Sequence, residues 1–168
     1  EVNHAILAKH SFEHEIAYAL ANDIFGSIDI NRGDYLVGWD TDQFPNNSEE
    51  LLLPFYYLFK NQGLGSGGLN MDAKIRRQSI DPEDLFYAHI GAMDTCARTL
   101  LAAERMINDE TYEKFLQKRY ENWFLNKELM NSSSLESIYQ KVKAEDINPQ
   151  PQSGRQEYLE NLLNSFIE

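Results

Sequence analysis

The chain has 168 residues, enough for one domain or a piece of a larger one with a core that hides roughly two-thirds of its unfolded surface. Its composition, 42% hydrophobic and 25% charged, is that of a soluble globular protein. Fifteen basic against 27 acidic side chains give a net charge of −12, which argues against a nucleic-acid partner and fits a protein that handles cations or neutral polar molecules.

In chain order, Val2–Leu7 is short and apolar and reads as the end of a strand. Ser11–Asn22 reads as a helix capped by Ser11, with Phe12, Ile16, Ala19 and Leu20 on one face. Phe25–Ile30 has the size of a buried strand. Asn31–Asn47, rich in Gly, Asp, Asn and Pro, is a long loop, and long loops inside compact domains are usually functional. Ser48–Asn61 is a second helix with Ser48 as cap. Glu49 and Glu50 lie in its first turn, where the macrodipole favours them, and a kink is expected at Pro54. Gly63–Gly68 is a glycine loop, and Leu69–Ile75 is a third strand. Asp81-Pro82-Glu83 opens a long helix through about Ile107, with Pro82 at the first helical position. Tyr112–Trp123, Ser134–Ala144 and Gln156–Ile167 are three further helices joined by polar loops, with Pro149 and Pro151 separating the last two.

Residues 1–107 thus alternate strand and helix, the pattern of a parallel α/β sheet or barrel. Residues 108–168 are helical only and read as an appended arm. No apolar run approaches the ~20 residues of a membrane span. The single cysteine, Cys96, permits no internal disulfide and fits a reducing, cytoplasmic setting. It falls in the helical run Asp94–Arg105 and reads as a small core residue rather than a nucleophile. The opening at Glu1, with no Met and no polar lead-in, reads as a start inside a longer protein.

The acidic residues are unevenly placed. Glu1, Asp29 and Asp72 fall within or at the ends of the predicted strands, His4 follows Glu1 by three residues, and Asp40 and Asp42 lie in the long loop. In a parallel α/β barrel the C-terminal ends of the strands converge on one face, where active sites are found. Five carboxylates gathered there would repel one another without a cation, and oxygen donors with one imidazole suit Mg2+, Mn2+ or Co2+. The plainer reading, strand-end acids as helix caps and loop solvation, stays open at this level.

Other motifs are weaker. Asp40-Thr-Asp42 has the D-x-D form of glycosyltransferase metal sites. Asp29 to Asp40 looks faintly like an EF-hand loop, but its glycine is one position early and Asp40 replaces the bidentate Glu. Arg32-Gly33-Asp34 spells an adhesion tripeptide by coincidence. Gly63, Gly65 and Gly68 match G-x-G-x-x-G but follow a helix and precede a strand, the wrong order for a dinucleotide fingerprint, so a helix cap is the better reading. His10 and His14 stand four apart and have the spacing to chelate zinc, although a solvated helix face is the better reading. His89 reads as locally satisfied, and Lys74, Arg76 and Arg77 as partners of nearby carboxylates.

Five blocks carry a family resemblance: Glu1-Val-Asn-His4; Gly26-Ser-Ile-Asp29 with Asn31-Arg-Gly-Asp34; Gly38-Trp-Asp-Thr-Asp-Gln-Phe-Pro45; Gly68-Leu-Asn-Met-Asp-Ala-Lys-Ile-Arg-Arg77; and Ser153-Gly-Arg-Gln-Glu157. In order and spacing they resemble the xylose isomerase family, in its longer-chain class, over essentially the whole chain. The resemblance implies the C-terminal part of a TIM (β/α)8 barrel, about strands six to eight, followed by an arm that wraps a neighbouring subunit in a homo-oligomer, usually a tetramer. It implies interconversion of D-xylose and D-xylulose, and of glucose and fructose, by a metal-assisted hydride shift between C2 and C1 with two divalent cations. Carried over by motif, Glu1, Asp29 and Asp72 belong to the first metal site, and Glu1, His4, Asp40 and Asp42 to the second. The family's acid–base histidine with its aspartate, the fourth carboxylate of the first site and the aromatic wall of the sugar pocket have no counterpart here. The chain is therefore expected to be inactive alone.

Four positions depart from the family pattern: Ile6 where Thr is usual, Lys9 where Gly is usual, Ile30 where Ala is common, and Met71 where Phe is common. None removes a ligand. Two other classes stay in play: a barrel hydrolase or nuclease with a carboxylate–histidine metal cluster, and a non-catalytic metal-binding or assembly module.

Overall fold

The structure, a computed structural model, describes residues 1–125 and 134–167. Among them the order is α1 (Val2–Leu7), α2 (Phe12–Ala21), β1 (Ile28–Asp29), α3 (Ser48–Lys60), β2 (Leu69–Asn70), α4 (Pro82–Asp109), α5 (Thr111–Leu125), α6 (Leu135–Ala144) and α7 (Gln156–Ile167). The protein is mostly helical, with one small parallel sheet in which Ile28 pairs with Leu69 and Asp29 with Asn70. Two compact units divide the chain, one of Glu1–Asp109 with the residues from Leu163 onward, the other of Glu110–Leu162.

The first correction to the sequence reading is Val2–Leu7, which is a helix and not a strand. Its buried residues are Val2, Asn3, Ala5 and Ile6, spaced three and four apart as one helical face requires, whereas a strand would alternate. A mostly apolar run of only six residues does not distinguish helix from strand by periodicity alone. The second correction is strand length. Phe25–Ile30 and Leu69–Ile75 contribute only two paired residues each, because among the described residues each strand has a single neighbour. Asp72 accordingly lies beyond β2 rather than within it. Ile28 and Ile30 are fully buried on one side while Asp29 points to the other, the period of two that puts a carboxylate opposite the core.

Helix α3 is capped by Asn47, whose side chain accepts from Glu49 N, so Ser48 is its first residue and not its cap. Pro54 lies inside α3, where it cannot donate to the carbonyl four residues before it. Leu51, Leu52, Phe55, Tyr56 and Leu58 of α3 are buried, as are Ala92, Cys96, Thr99, Ala103 and Met106 of α4. The alternating steps of four and three along α4 form one stripe of small side chains that brings the two backbones close. The buried hydroxyls in that stripe are satisfied within the helix, Thr99 donating to Thr95 O at 2.7 Å and Thr95 to Gly91 O at 2.8 Å.

Several helices end in the same way. After α1, Lys9 takes φ 66° while His10 N donates to Ala5 O at 2.9 Å and Lys9 N to Ile6 O at 3.0 Å. This is a Schellman motif with lysine in the left-handed position that glycine usually fills, which gives a physical reason for the glycine common there in the family. Asp23 after α2 and Gln62 after α3 repeat it, with Ile24 N to Ala19 O at 3.0 Å and Gly63 N to Leu58 O at 2.8 Å. The glycine loop begins as part of that last cap.

In the second unit, Phe115 of α5 lies against Tyr158 of α7 with ring centroids 6.3 Å apart, and Arg119 donates to Ser153 O at 3.0 Å. Helix α6 is capped by Ser134 and buries none of its residues. The polar loop expected between α5 and α6 lies largely outside the described residues. Among the described residues no helix is long and apolar enough to cross a membrane.

Candidate metal centre

Glu1 stands at the N-cap of α1, His4 one turn along it, Asp29 on β1, Asp40 and Asp42 in the long loop, and Asp72 just after β2. The parallel pairing of β1 and β2 carries Asp29 and Asp72 toward the start of α1. One carboxylate oxygen from each of Glu1, Asp29 and Asp72 lies within 4.8 Å of the others. A second group, Glu1, His4 and Asp40, meets the same limit. Glu1 is common to both.

Three carboxylates at that spacing repel by roughly 1 kcal/mol per pair in a water-like medium and about 3–4 kcal/mol at an effective dielectric near 20. A divalent cation among them would reverse the sign of that term. The donors are hard oxygens with one imidazole, a set that fits Mg2+, Mn2+ or Co2+ and does not favour thiolate-seeking ions. His4 is oriented for such a role: its Nδ1 lies 2.8 Å from Glu1 Oε2, which turns Nε2 toward Asp40 Oδ2 at 3.3 Å.

Two buried asparagines, neither singled out by the sequence reading, hold this arrangement. Asn31 is fully buried in the polypeptide between the carboxylates. Its Nδ2 donates to Glu1 Oε1 at 3.0 Å and to Asp72 O at 2.9 Å, and approaches Asp42 Oδ1 at 3.4 Å. Its Oδ1 accepts from Asn3 N at 2.9 Å. The Asn3 amide group donates to Asp40 Oδ1 and lies 3.3 Å from Asp42 Oδ1. Carboxylates on that side require the NH2 of Asn3 to face them, so Asn3 Oδ1 is turned away, where it is buried without a partner. Gly33 makes room for it: a Cβ there would sit 2.4 Å from Asn3 Oδ1 and 3.2 Å from Ile6.

Asp42 is in neither three-residue group. It is the most buried of the six candidates, 5% exposed, and its Oδ2 is ion-paired with the exposed Lys74. Hydrogen bonding with Asp40, then with Lys74 and Asn3, holds its carboxyl below the usual range, at about 2. Lys74 is pushed upward by the same pair. The expected pairing of cations near Asp72 with carboxylates therefore applies to Lys74. Arg76 instead donates to backbone carbonyls, Thr41 O and Lys74 O, both at 2.7 Å.

Residues 116–167 match the XylA2 C-terminal domain family. Curated relatives match 99% of the chain. The xylose isomerase of Ruegeria sp. (strain TM1040) is 58% identical over 170 residues, that of Cereibacter sphaeroides (strain ATCC 17025 / ATH 2.4.3) 58% over 168, and that of Brucella canis (strain ATCC 23365 / NCTC 10854 / RM-666) 56% over 169.

The chain is similar to xylose isomerases along its whole length.

It spans about two-fifths of those relatives, 39% of each. Identity at this level is consistent with the resemblance carried by the five sequence blocks. Asn3 and Asn31 both lie inside those blocks, which give them no role. The signal that would have found them is a polar amide two residues from a candidate ligand inside an otherwise apolar run, since such a group is buried only when its hydrogen bonds are met.

Proposed function

We propose that this chain supplies the two-cation centre of an aldose–ketose isomerase that interconverts D-xylose and D-xylulose, and glucose and fructose. The observation that carries the reading is Glu1, one carboxylate shared by two donor groups. The similarity to proteins named xylose isomerase supports it. In this reading Glu1, Asp29 and Asp72 hold one divalent cation, and Glu1, His4, Asp40 and Asp42 hold another, with Mg2+ the expected ion and Mn2+ or Co2+ substitutes. When bound, such ions supply Lewis acidity and a template for the sugar oxygens. The chain's own residues orient the donors: Asn31 fixes Glu1, Asn3 fixes Asp40 and Asp42, and Glu1 turns His4. Lys74 balances the charge of Asp42 and would compete with a cation there.

β1, α3 and β2 form a parallel strand–helix–strand unit, which supports a place in a (β/α)8 barrel. Two short strands cannot close a barrel, and their open edges need partners. The helices of residues 108–168 are proposed to reach a neighbouring subunit of a homotetramer.

Calorimetric titration of the full-length protein with Mg2+ and Co2+ tests the reading. Two sites are expected. Asp40→Asn should weaken one and remove most xylose turnover with the fold intact, and Glu1→Gln should weaken both. A single weak calcium-preferring site would instead support a non-catalytic module, and activity nearly unchanged in Asp40→Asn would refute the second site. Residues 1–168 purified alone should not turn over xylose with Mg2+, and turnover at the full-length level would refute their dependence on the rest of the barrel.

A further inference from the structure

We infer a separate transition-metal site at the junction of α1 and α2, formed by His10, His14 and Glu15. The sequence spacing of the two histidines alone reads as a solvated helix face. The structure changes that reading in two ways. His10 is not on the helix; it is the last residue of the Schellman motif that ends α1, its N held by Ala5 O at 2.9 Å. Glu15 also joins the pair: one ring nitrogen of each histidine and one Glu15 oxygen all lie within 4.8 Å of one another. His10 Nδ1 contacts Glu15 Oε1, and His14 Nδ1 lies 3.6 Å from the same oxygen.

The backbone beneath both rings is held at each end. The connector from Ala8 to Ser11 is closed at one end by the α1 cap and at the other by Ser11, whose hydroxyl accepts from His14 N at 3.2 Å. The imidazoles lie with centroids 4.7 Å apart, and His14 stacks on Tyr18 at 6.2 Å with 15° between planes. Donors held by their own supports are the requirement for a defined coordination geometry.

Two imidazoles and one carboxylate form a three-ligand set for Zn2+, Cu2+ or Ni2+, with a fourth position left to water because the three side chains are each about half exposed. This chemistry differs from the carboxylate centre, which offers one imidazole. The positive end of α2 opposes a cation, and Glu13 and Glu15 in the first turn counter it. A bound ion would tie the α1–α2 connector to α2 and raise the melting temperature by mass action.

The test uses the full-length protein with its carboxylate centre saturated by Mg2+. Cu2+ added at one equivalent should give an electron paramagnetic resonance spectrum with couplings from two imidazole nitrogens. His10→Ala and His14→Ala should each remove that pattern and weaken Zn2+ in calorimetry by at least about tenfold, leaving Mg2+ binding unchanged. Glu15→Gln keeps both rings and the helix, and should also weaken Zn2+ without altering the melting temperature in chelator. A spectrum with one nitrogen or none, or Zn2+ affinity unchanged in the His10→Ala/His14→Ala double variant, overturns the site. Either result leaves the isomerase reading untouched, because His10 and His14 take no part in it.

Discussion

Replacing Asn31 with alanine should do more to the carboxylate centre than any other substitution outside the six candidate ligands. Three hydrogen bonds of good length disappear: to Glu1 Oε1 at 3.0 Å, to Asp72 O at 2.9 Å, and from Asn3 N at 2.9 Å. A bond to a charged acceptor contributes about 1.5–3 kcal/mol and each neutral bond about 0.5–1.5 kcal/mol. The three share one side chain and do not add fully, so about 3 kcal/mol is expected. Asn3 N–H would be left buried without a partner, and its amide exchange should speed up on the order of a hundredfold, since about 1.4 kcal/mol corresponds to tenfold. Exchange of the Asn3 amide, followed by NMR in the full-length protein, reads this locally. Mg2+ affinity should fall as well, because Glu1 Oε1 loses the group that orients it. Asn31→Asp should be worse at neutral pH, since it sets another carboxylate beside Glu1 and Asp42, and should recover on acidification. Parental exchange at Asn3 together with parental Mg2+ affinity in Asn31→Ala would refute the bridging role.

Gly33→Ala is expected to destabilise by about 1–3 kcal/mol in thermal melting, because the new methyl meets Ile6 and the Oδ1 of Asn3, a buried side chain that can move only by giving up its hydrogen bonds to Asp40 and Asp42. Lys9→Gly should be neutral to stabilising, by up to about 1 kcal/mol, because left-handed strain at φ 66° is relieved while the unfolded chain gains freedom. A clear loss of stability there would contradict the cap assignment. Asp42 has a folded-state pKa lowered from 3.8 to about 2, so its contribution is fully present above 3.8 and is lost as pH falls toward 2. The full shift corresponds to roughly 2.4 kcal/mol, and the solvent exposure of its ion-pair partner Lys74 reduces this to about 1 kcal/mol. Lys74→Met should move the Asp42 carboxyl resonance midpoint upward in an NMR titration, and no movement would mean that the ion pair is not formed in solution.

Much of this protein is legible before any coordinates. The start of α4, both ends of α7, the capping serine Ser11 and the core position of Cys96 follow from local chemistry: a proline at a first turn, a hydroxyl before an apolar period, a small residue in a helical run. Glu1, Asp29 and Asp72 also stand out as acids at the ends of apolar runs, while His4, Asp40 and Asp42 join them as candidates through their nearness to Glu1 and the long loop. The state of Val2–Leu7 is not legible, since so short and mostly apolar a run satisfies a strand and a helix equally well until neighbours choose the buried face. The lengths of β1 and β2 depend on who pairs with them. Glu1 becomes the shared member of two groups only because β1 and β2 align Asp29 with the start of α1 while the long loop returns Asp40 to His4. Asn3 with Asn31 and Asp42 with Lys74 join residues 28 and 32 apart, whose partners are chosen by chain reversals, and His10 meets Glu15, five residues on, where the end of α1 turns the chain into α2. Sequence by itself determined which chemical groups this protein has to offer, because donors and caps are properties of residues. Only the tertiary structure decided which of them meet, because a distance of a few ångströms across 30 or 40 residues of chain is set by packing.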